Sequence, residues 1–106
     1  MALKPLNEEN FDSNVLESGR PALVDFWAGW CGPCRLYLPT VEEVALEFEG
    51  RVDFFKVNVD EATALPARYG ITGIPTTIIF KDGKIAASHS GSMSKKALVE
   101  FINGHI

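Results

Sequence analysis

Apolar and polar residues follow one another along this chain in blocks whose spacing predicts both strands and helices. Residues 22–27 are apolar apart from Asp25, which is typical of a strand covered on both faces. Apolar residues then recur every three or four positions from residue 34 to residue 48 and predict a long amphipathic helix that ends at Gly50. Residues 51–58 are rich in β-forming residues and predict a second strand. This order of elements predicts a βαβ unit with two parallel strands.

The other elements are predicted from shorter patterns and from the residues that start or stop them. Asn7, Thr63 and Ser94 are each suited to begin a helix, and Asp82-Gly83 indicates a type I′ turn between two antiparallel strands. The corresponding ranges are residues 8–17, 63–69, 76–81 and 84–89, with a last helix between residues 94 and 104. Pro39 lies inside the long helix, where we expect a bend rather than an end.

Length and charge limit the classes of function that this chain can have. Its 106 residues correspond to one domain, residues 1–106, which is large enough to fold without a structural disulfide or metal. The formal net charge is −4 and the sequence has no basic cluster, so we do not expect nucleic acid as a partner. The N-terminal residues lack the apolar region of a signal peptide, and no apolar stretch is long enough to span a membrane. We therefore expect a cytoplasmic protein without a membrane partner.

Two cysteines, Cys31 and Cys34, directly follow the first predicted strand as a Cys-x-x-Cys pair. Pro33 suits the first turn of a helix, because its φ is already helical and its missing amide hydrogen would be unpaired there. Cys31 then lies at the helix N-terminus, where free amides and the helix dipole favour a thiolate, and Cys34 follows one turn later on the same face. The sequence predicts that Cys31 attacks a substrate disulfide and that Cys34 resolves the mixed disulfide.

Asp25 is a carboxylate within an apolar strand, where ionisation is costly and the pKa of the side chain should be raised. Lys56, in the neighbouring strand of the βαβ unit, could reduce that cost. We expect Asp25 to accept the proton of Cys34, through a water molecule, during resolution. The alternative interpretation is that strand twist exposes Asp25, or that it only forms a salt bridge.

A zinc site is the main alternative for the cysteine pair, and it would need His89 and His105 as further ligands. Their spacing does not fit a zinc site, and a domain of this size needs no structural metal. We expect both histidines to be ordinary surface residues. A second alternative is a scaffold protein in which the dithiol is incidental, and a third is a metal or iron–sulfur carrier, for which two thiolates are too few.

Several segments together resemble the thioredoxin family, in order and with matching spacing over nearly the whole chain. The matching residues are 24–28, Trp30-Cys31-Gly32-Pro33-Cys34, 56–60, 69–71, 73–76 and Gly91. The resemblance implies an α/β thioredoxin fold with a central five-stranded mixed sheet and two helices on each face. It also implies a cis bond before Pro75, which spacing alone only allows.

The same resemblance implies a substrate surface around the cysteines and an electron supply from another protein. The family's docking residues correspond to Trp30, Gly32, Pro33, Gly73, Ile74, Pro75 and Gly91. An extended substrate segment would pair with the backbone of Ile74 as an added strand. The chain resembles family members that reduce protein disulfides and are recharged by a thioredoxin reductase. It has no G-x-G-x-x-G fingerprint, so NADPH and FAD would belong to that reductase and no cofactor would be bound here.

Related oxidases and isomerases carry His between their cysteines, whereas Gly32-Pro33 has no charge to stabilise the reduced state. The resemblance therefore favours a reductant, which we expect to be a monomer. The chain departs from the family pattern at Arg35, at residues 36–38 and at Ser92-Met93. These positions bear on the choice of partner rather than on the sulfur chemistry.

Overall fold

A computed structural model describes residues 3–106, so Met1 and Ala2 of the predicted domain lie outside the described residues. The strands are β1 (Lys4–Pro5), β2 (Ala22–Trp27), β3 (Asp53–Asn58), β4 (Thr76–Lys81) and β5 (Lys84–Ser90). The helices are a π-helical turn (Asp12–Leu16), α1 (Gly32–Glu47), α2 (Ala64–Arg68) and α3 (Lys95–Asn103). No helix within residues 3–106 is long and apolar enough to cross a bilayer.

The strands form one five-stranded mixed sheet in the order β1-β3-β2-β4-β5. β3 pairs in parallel with β1 and with β2, which confirms the predicted βαβ unit. β2 pairs antiparallel with β4, and β4 with β5. β2 is therefore hydrogen-bonded on both sides at the centre of the sheet, and its residues from Ala22 to Phe26 are all buried.

Two apolar clusters cover the two faces of the sheet, because successive side chains of a strand point to opposite sides. On one face, Leu23 and Ile79 pack with residues of α1 and α3. On the other, Val24 and Phe26 pack with the π-helical turn and α2. The fold class predicted from the resemblance is confirmed, with helical segments on each face.

The hairpin and the last helix form where the sequence predicts them. Asp82 and Gly83 have φ values of 55° and 76°, as a type I′ turn requires at both central positions. The Ser94 hydroxyl caps α3 by accepting a hydrogen bond from the Ala97 amide at 3.1 Å. α1 runs without interruption through Pro39, which does not end the helix.

Three details differ from the sequence-based expectations. The helix predicted over residues 8–17 is only the π-helical turn, preceded by a turn in which Asn7 Oδ1 accepts from the amides of Glu9 and Asn10. Thr63 makes no capping bond, because its backbone is already helical at φ −64° and ψ −26°; Glu8 Oε2 accepts from the Ala64 amide at the start of α2. The strand β1 was not found from residue patterns, since two residues are too short to show alternation.

Lys95 begins α3, where a cation opposes the helix dipole. Its Nζ lies 3.0 Å from Glu43 Oε1 and 2.9 Å from Glu47 Oε2 of α1. The partners that offset the unfavourable dipole therefore come from another helix. These exposed ion pairs join α3 to α1 and contribute modestly to stability.

We expect Gly83→Ala to destabilise the protein by about 1–2 kcal/mol, because Gly83 has φ +76° and an added Cβ would lie 3.3 Å from the Leu16 carbonyl oxygen. Gly50→Ala is the matched control, since Gly50 has φ +85° but open space around the Cβ position. Denaturant unfolding of both variants measures the difference. A smaller loss for Gly83→Ala than for Gly50→Ala would contradict the assigned contact.

Candidate active site

The two cysteines lie where β2 passes through a short loop into α1. Cys31 is the N-cap of α1, and its Sγ accepts a hydrogen bond from the Cys34 amide at 3.2 Å. The two Cα atoms are 5.2 Å apart and the sulfurs form a disulfide, which confirms the predicted pairing. An amide that points at Sγ from the first turn of a helix stabilises negative charge on that sulfur once the disulfide is reduced.

The two sulfurs differ in their access to solvent. Cys31 is 5% exposed and Cys34 is fully buried at 0%. Trp30 next to them is 70% exposed, and its Nε1 donates to Asp60 Oδ2 at 2.8 Å. Cys31 therefore has the small exposed fraction of the pair, next to the exposed Trp30, and Cys34 has none.

A groove of about 400 Å³ lies on one side of the cysteines, beside Trp30. Its lining residues are Trp30, Val59, Pro66, Ile71, Thr72, Gly73 and Ile74. The Ile74-Pro75 bond is cis, as the resemblance implied, and the Cys31 Sγ lies 3.9 Å from the Ile74 carbonyl oxygen. The Gly91 amide donates to the Pro75 carbonyl oxygen at 2.8 Å, which holds the end of β5 against this loop.

A second groove of about 300 Å³ lies beside Pro33. It is lined by Pro33, Leu36, Tyr37, Thr40, Ser92 and Met93. Leu36 is 82% exposed, a high value for a leucine. Four of the residues that depart from the family pattern, Leu36, Tyr37, Ser92 and Met93, therefore line this groove together with the docking residue Pro33, while Trp30, Gly73 and Ile74 of the docking set line the first groove.

Asp25 is fully buried, and neither of its carboxylate oxygens has a hydrogen-bond partner within residues 3–106. Its neighbours in the sheet are Lys56 on β3 and Thr77 on β4. Burial raises the pKa of Asp25 from its ordinary value of 3.8 to about 7, and the positive charge of Lys56 opposes this rise. The alternative of an exposed or salt-bridged Asp25 is wrong, because the neighbouring strands enclose it.

Lys56 does not form an ion pair with Asp25 in the described part of the chain, so its effect on Asp25 acts over a longer distance. Its Nζ lies 5.2 Å from the centre of the Trp27 ring. A cation over an aromatic face is held by the ring quadrupole. Lys56 is half-buried and remains the cation nearest in the sheet register to Asp25.

Sequence reasoning missed a pair of buried hydroxyl groups near Asp25. The Tyr37 hydroxyl and Thr77 Oγ1 are 2.9 Å apart, and both side chains are buried. Burial raises the pKa of Tyr37 to about 12, the Thr77 hydrogen bond opposes the rise, and the nearby charge of Asp25 adds to it. The sequence could have indicated the buried position of Tyr37, because a spacing of three residues from Cys34 puts both side chains on one face of α1.

The two histidines lie together near the C-terminus rather than at the cysteines. Their rings are 6.1 Å (His89) and 5.2 Å (His105) from the ring of Phe101. His105 Nδ1 contacts the Phe101 carbonyl oxygen at 2.7 Å. Residues 3–106 contain no group of three His, Cys, Asp or Glu side chains that could hold a metal ion.

Comparison with known proteins gives one consistent result. The sequence model of the family described as Thioredoxin matches residues 2–104. A thioredoxin of Haemophilus influenzae is 45% identical over 101 residues, which cover 95% of this chain and 94% of that protein. Thioredoxins of Pseudomonas aeruginosa and Acidithiobacillus ferridurans are 41% and 42% identical, over 95% and 99% of this chain and 94% and 97% of their own lengths.

The buried Asp25 makes the stability of the protein depend on pH. The unfolded chain ionises Asp25 near 3.8 and the folded protein only near 7, so the folded state holds more protons between these values and loses stability as pH rises. We expect this residue to lower the free energy of unfolding by roughly 4 kcal/mol between pH 4 and pH 8. Asp25→Asn should remove that slope in guanidinium unfolding of the oxidised protein.

Asp53→Asn is the matched control, because Asp53 is only half-buried and forms an ion pair with Arg20. This variant should keep the slope between pH 5 and pH 8. If the free energy of unfolding of Asp25→Asn changed with pH as it does in the parent protein over this range, the raised pKa of Asp25 would be wrong.

Proposed function

The chain belongs to the thioredoxin family and has the thiol–disulfide oxidoreductase activity of that family, and we propose that it acts as a general reductant of protein disulfides. The observation that carries this proposal is the unequal access to the two sulfurs. Cys31 at the tip of α1 is the accessible sulfur and Cys34 is enclosed behind it. An attacking thiol and a resolving thiol need this arrangement.

The reaction begins with the reduced dithiol form of the protein. The Cys31 thiolate attacks one sulfur of the substrate disulfide, a Cys31–substrate bond forms, and the other substrate sulfur leaves as a thiolate that takes a proton from solvent. Cys34 then loses its proton and attacks Cys31 Sγ, which releases the second substrate thiolate. The substrate gains two electrons and the protein retains the Cys31–Cys34 disulfide.

Asp25 is proposed to accept the proton of Cys34, with Lys56 favouring the ionised carboxylate that does so. Two features support this role. The carboxylate has no competing hydrogen-bond donor within the described residues, and its pKa of about 7 suits proton exchange near neutral pH. Lys56 carries the opposing positive charge on the adjacent strand.

The substrate is proposed to dock as an extended segment across Trp30, the Gly32-Pro33 turn, the Gly73-Ile74-Pro75 loop and Gly91. The support is their position around the accessible sulfur. The Ile74 carbonyl oxygen is 3.9 Å from Cys31 Sγ, and Trp30 presents an exposed apolar surface beside it. A segment added alongside Ile74 would bring its cysteine to Cys31.

The direction of electron flow is proposed from the uncharged Gly32-Pro33 dipeptide, which gives the reduced thiolate no extra stabilisation. Re-reduction would come from a thioredoxin reductase that carries the flavin and uses NADPH. We place the protein in the cytoplasm, where such dithiols stay reduced, as a single 106-residue domain that acts as a monomer.

A passive scaffold is the second candidate function, and the presence of both Cys31 and Cys34 at the start of α1 argues against it. Insulin reduction by dithiothreitol, measured with and without the protein, separates the two candidates.

Trapping tests the order of the two cysteines. We expect Cys34→Ser to accumulate disulfide-linked substrate adducts through Cys31, because the resolving thiol is gone, and Cys31→Ser to trap almost nothing. Non-reducing electrophoresis after incubation with reduced protein measures the adducts. Equal trapping by both variants, or trapping through Cys34 alone, would reverse the assigned roles.

Equilibration with a glutathione or NADPH-linked redox couple tests the proposed direction of electron transfer. We expect a reduction potential more negative than that of disulfide isomerases, since no cation lies between the cysteines. Replacing Pro33 with His is the matched variant and should raise the potential. A parent potential already in the isomerase range would overturn the reductant assignment.

A further inference from the structure

Tyr37 and Thr77 place two hydroxyl groups in the otherwise apolar layer between the sheet and helices α1 and α3. Tyr37 belongs to the buried cluster of that face, and Thr77 is fully buried. Their oxygens are 2.9 Å apart. Buried polar groups are retained at a cost, so their position requires a physical explanation.

The position of this pair relates it to Asp25. Thr77 lies directly opposite Asp25 in the antiparallel pairing of β2 with β4, and such neighbours have Cβ atoms about 4.5–5.5 Å apart on the same face. Tyr37 lies on α1, three residues after Cys34 and on the same buried face. The pair therefore connects the helix that carries Cys34 to β4, the strand next to the one that carries Asp25.

Hydrogen counting indicates what the pair can do. Two hydroxyls bring two hydrogens, and the bond between them uses one. Within residues 3–106 neither hydroxyl has a second hydrogen-bond partner, and neither oxygen of Asp25 has any. One donor hydrogen thus remains on the pair, and it belongs to Thr77 when Tyr37 is the donor, while the carboxylate of Asp25 on the adjacent strand has no partner within residues 3–106. The raised pKa of Tyr37 keeps its hydroxyl protonated throughout the range in which Asp25 ionises.

We propose that the Tyr37–Thr77 pair is a positioning element for Asp25, in which Tyr37 donates to Thr77 and the Thr77 O–H dipole, without a direct hydrogen bond to the carboxylate, points toward Asp25 and stabilises the ionised form. Its importance for turnover rests on the function proposed above, in which that ionised form accepts the Cys34 proton. Its effect on Asp25 itself does not depend on turnover.

The other groups around Asp25 are few. Lys56 of β3 is the only positive charge on an adjacent strand position, and α1 contributes Tyr37 and Cys34. β4 contributes the uncharged Thr77, and the cation of α3 nearest to α1, Lys95, is held by Glu43 and Glu47. Among these described residues, the hydroxyl pair is the uncharged polar group that lies beside Asp25 in addition to Lys56.

The direct test follows the carboxyl carbon of Asp25 by NMR in the oxidised protein labelled with 13C-aspartate, with Asp25→Asn identifying the signal. We expect Thr77→Val, which keeps the shape and removes the hydroxyl, to raise the titration midpoint of Asp25 by about 0.3 of a pH unit, since a dipole without a direct hydrogen bond acts more weakly. Thr77→Ser should restore the parent midpoint, because it returns a hydroxyl to the same position. Tyr37→Phe should raise the midpoint by a smaller amount, since Thr77 keeps its own hydrogen.

Tyr69→Phe is the control, because Tyr69 is the only other tyrosine and packs against Phe11 and Phe80 on the opposite face. It should leave the midpoint unchanged. A midpoint in Thr77→Val that equals the parent value, or a rise that Thr77→Ser fails to reverse, would overturn the proposal.

Kinetics separate this proposal from the one above. The pH profile of insulin reduction should move in Thr77→Val by the same amount as the NMR midpoint. If Asp25→Asn leaves the parent pH profile unchanged, the proton-acceptor role of Asp25 is wrong, while the NMR titration still decides the effect of the hydroxyl pair. The two failures are therefore distinguishable.

Discussion

The direct passage from the central strand into a helix constrains the whole active site. β2 is hydrogen-bonded on both sides, so its end has a fixed position relative to the sheet. The chain has only Ala28, Gly29, Trp30 and Cys31 between β2 and α1, which makes Cys31 the N-cap. The free amides of a helix N-terminus can then act on its sulfur. Accessible Cys31 and enclosed Cys34 are both consequences of this junction.

The buried strand β2 also carries Asp25, and ionisation of its carboxyl group lowers the stability of the folded protein. Asp25 lies in a largely apolar layer that also contains the Tyr37 and Thr77 hydroxyls, and its carboxylate has no hydrogen-bond partner within residues 3–106. A residue chosen for stability would be apolar here. A carboxyl group with a pKa of about 7, in the layer against which the Cys34 helix packs, instead fits a role in proton transfer. The proposed role of Asp25 and the stability of the folded protein therefore place opposite demands on this position.

Two grooves lie beside the cysteine pair. The groove next to Trp30 and the loop containing Pro75 is lined mostly by residues that match the family. The groove next to Pro33 is formed by Leu36, Tyr37 and Met93, where this chain departs from the family pattern. Tyr37 is a lining residue of this groove, and its hydroxyl lies 2.9 Å from Thr77 Oγ1. One residue at which this chain departs from the family pattern thus belongs both to the groove and to the surroundings of Asp25.

Local sequence determined the features that depend on neighbouring residues alone. Pro33 and the cysteine spacing were enough to predict the helix N-terminus and the disulfide, and Asp82-Gly83 was enough to predict the hairpin, because both depend on backbone conformations open to few residue types. Only the tertiary structure decided the strand β1, the Lys95 ion pairs with α1, the Trp30–Asp60 bond and the Tyr37–Thr77 pair. Each of these joins segments far apart along the chain, and no local pattern encodes which distant side chain the fold will bring within hydrogen-bonding distance.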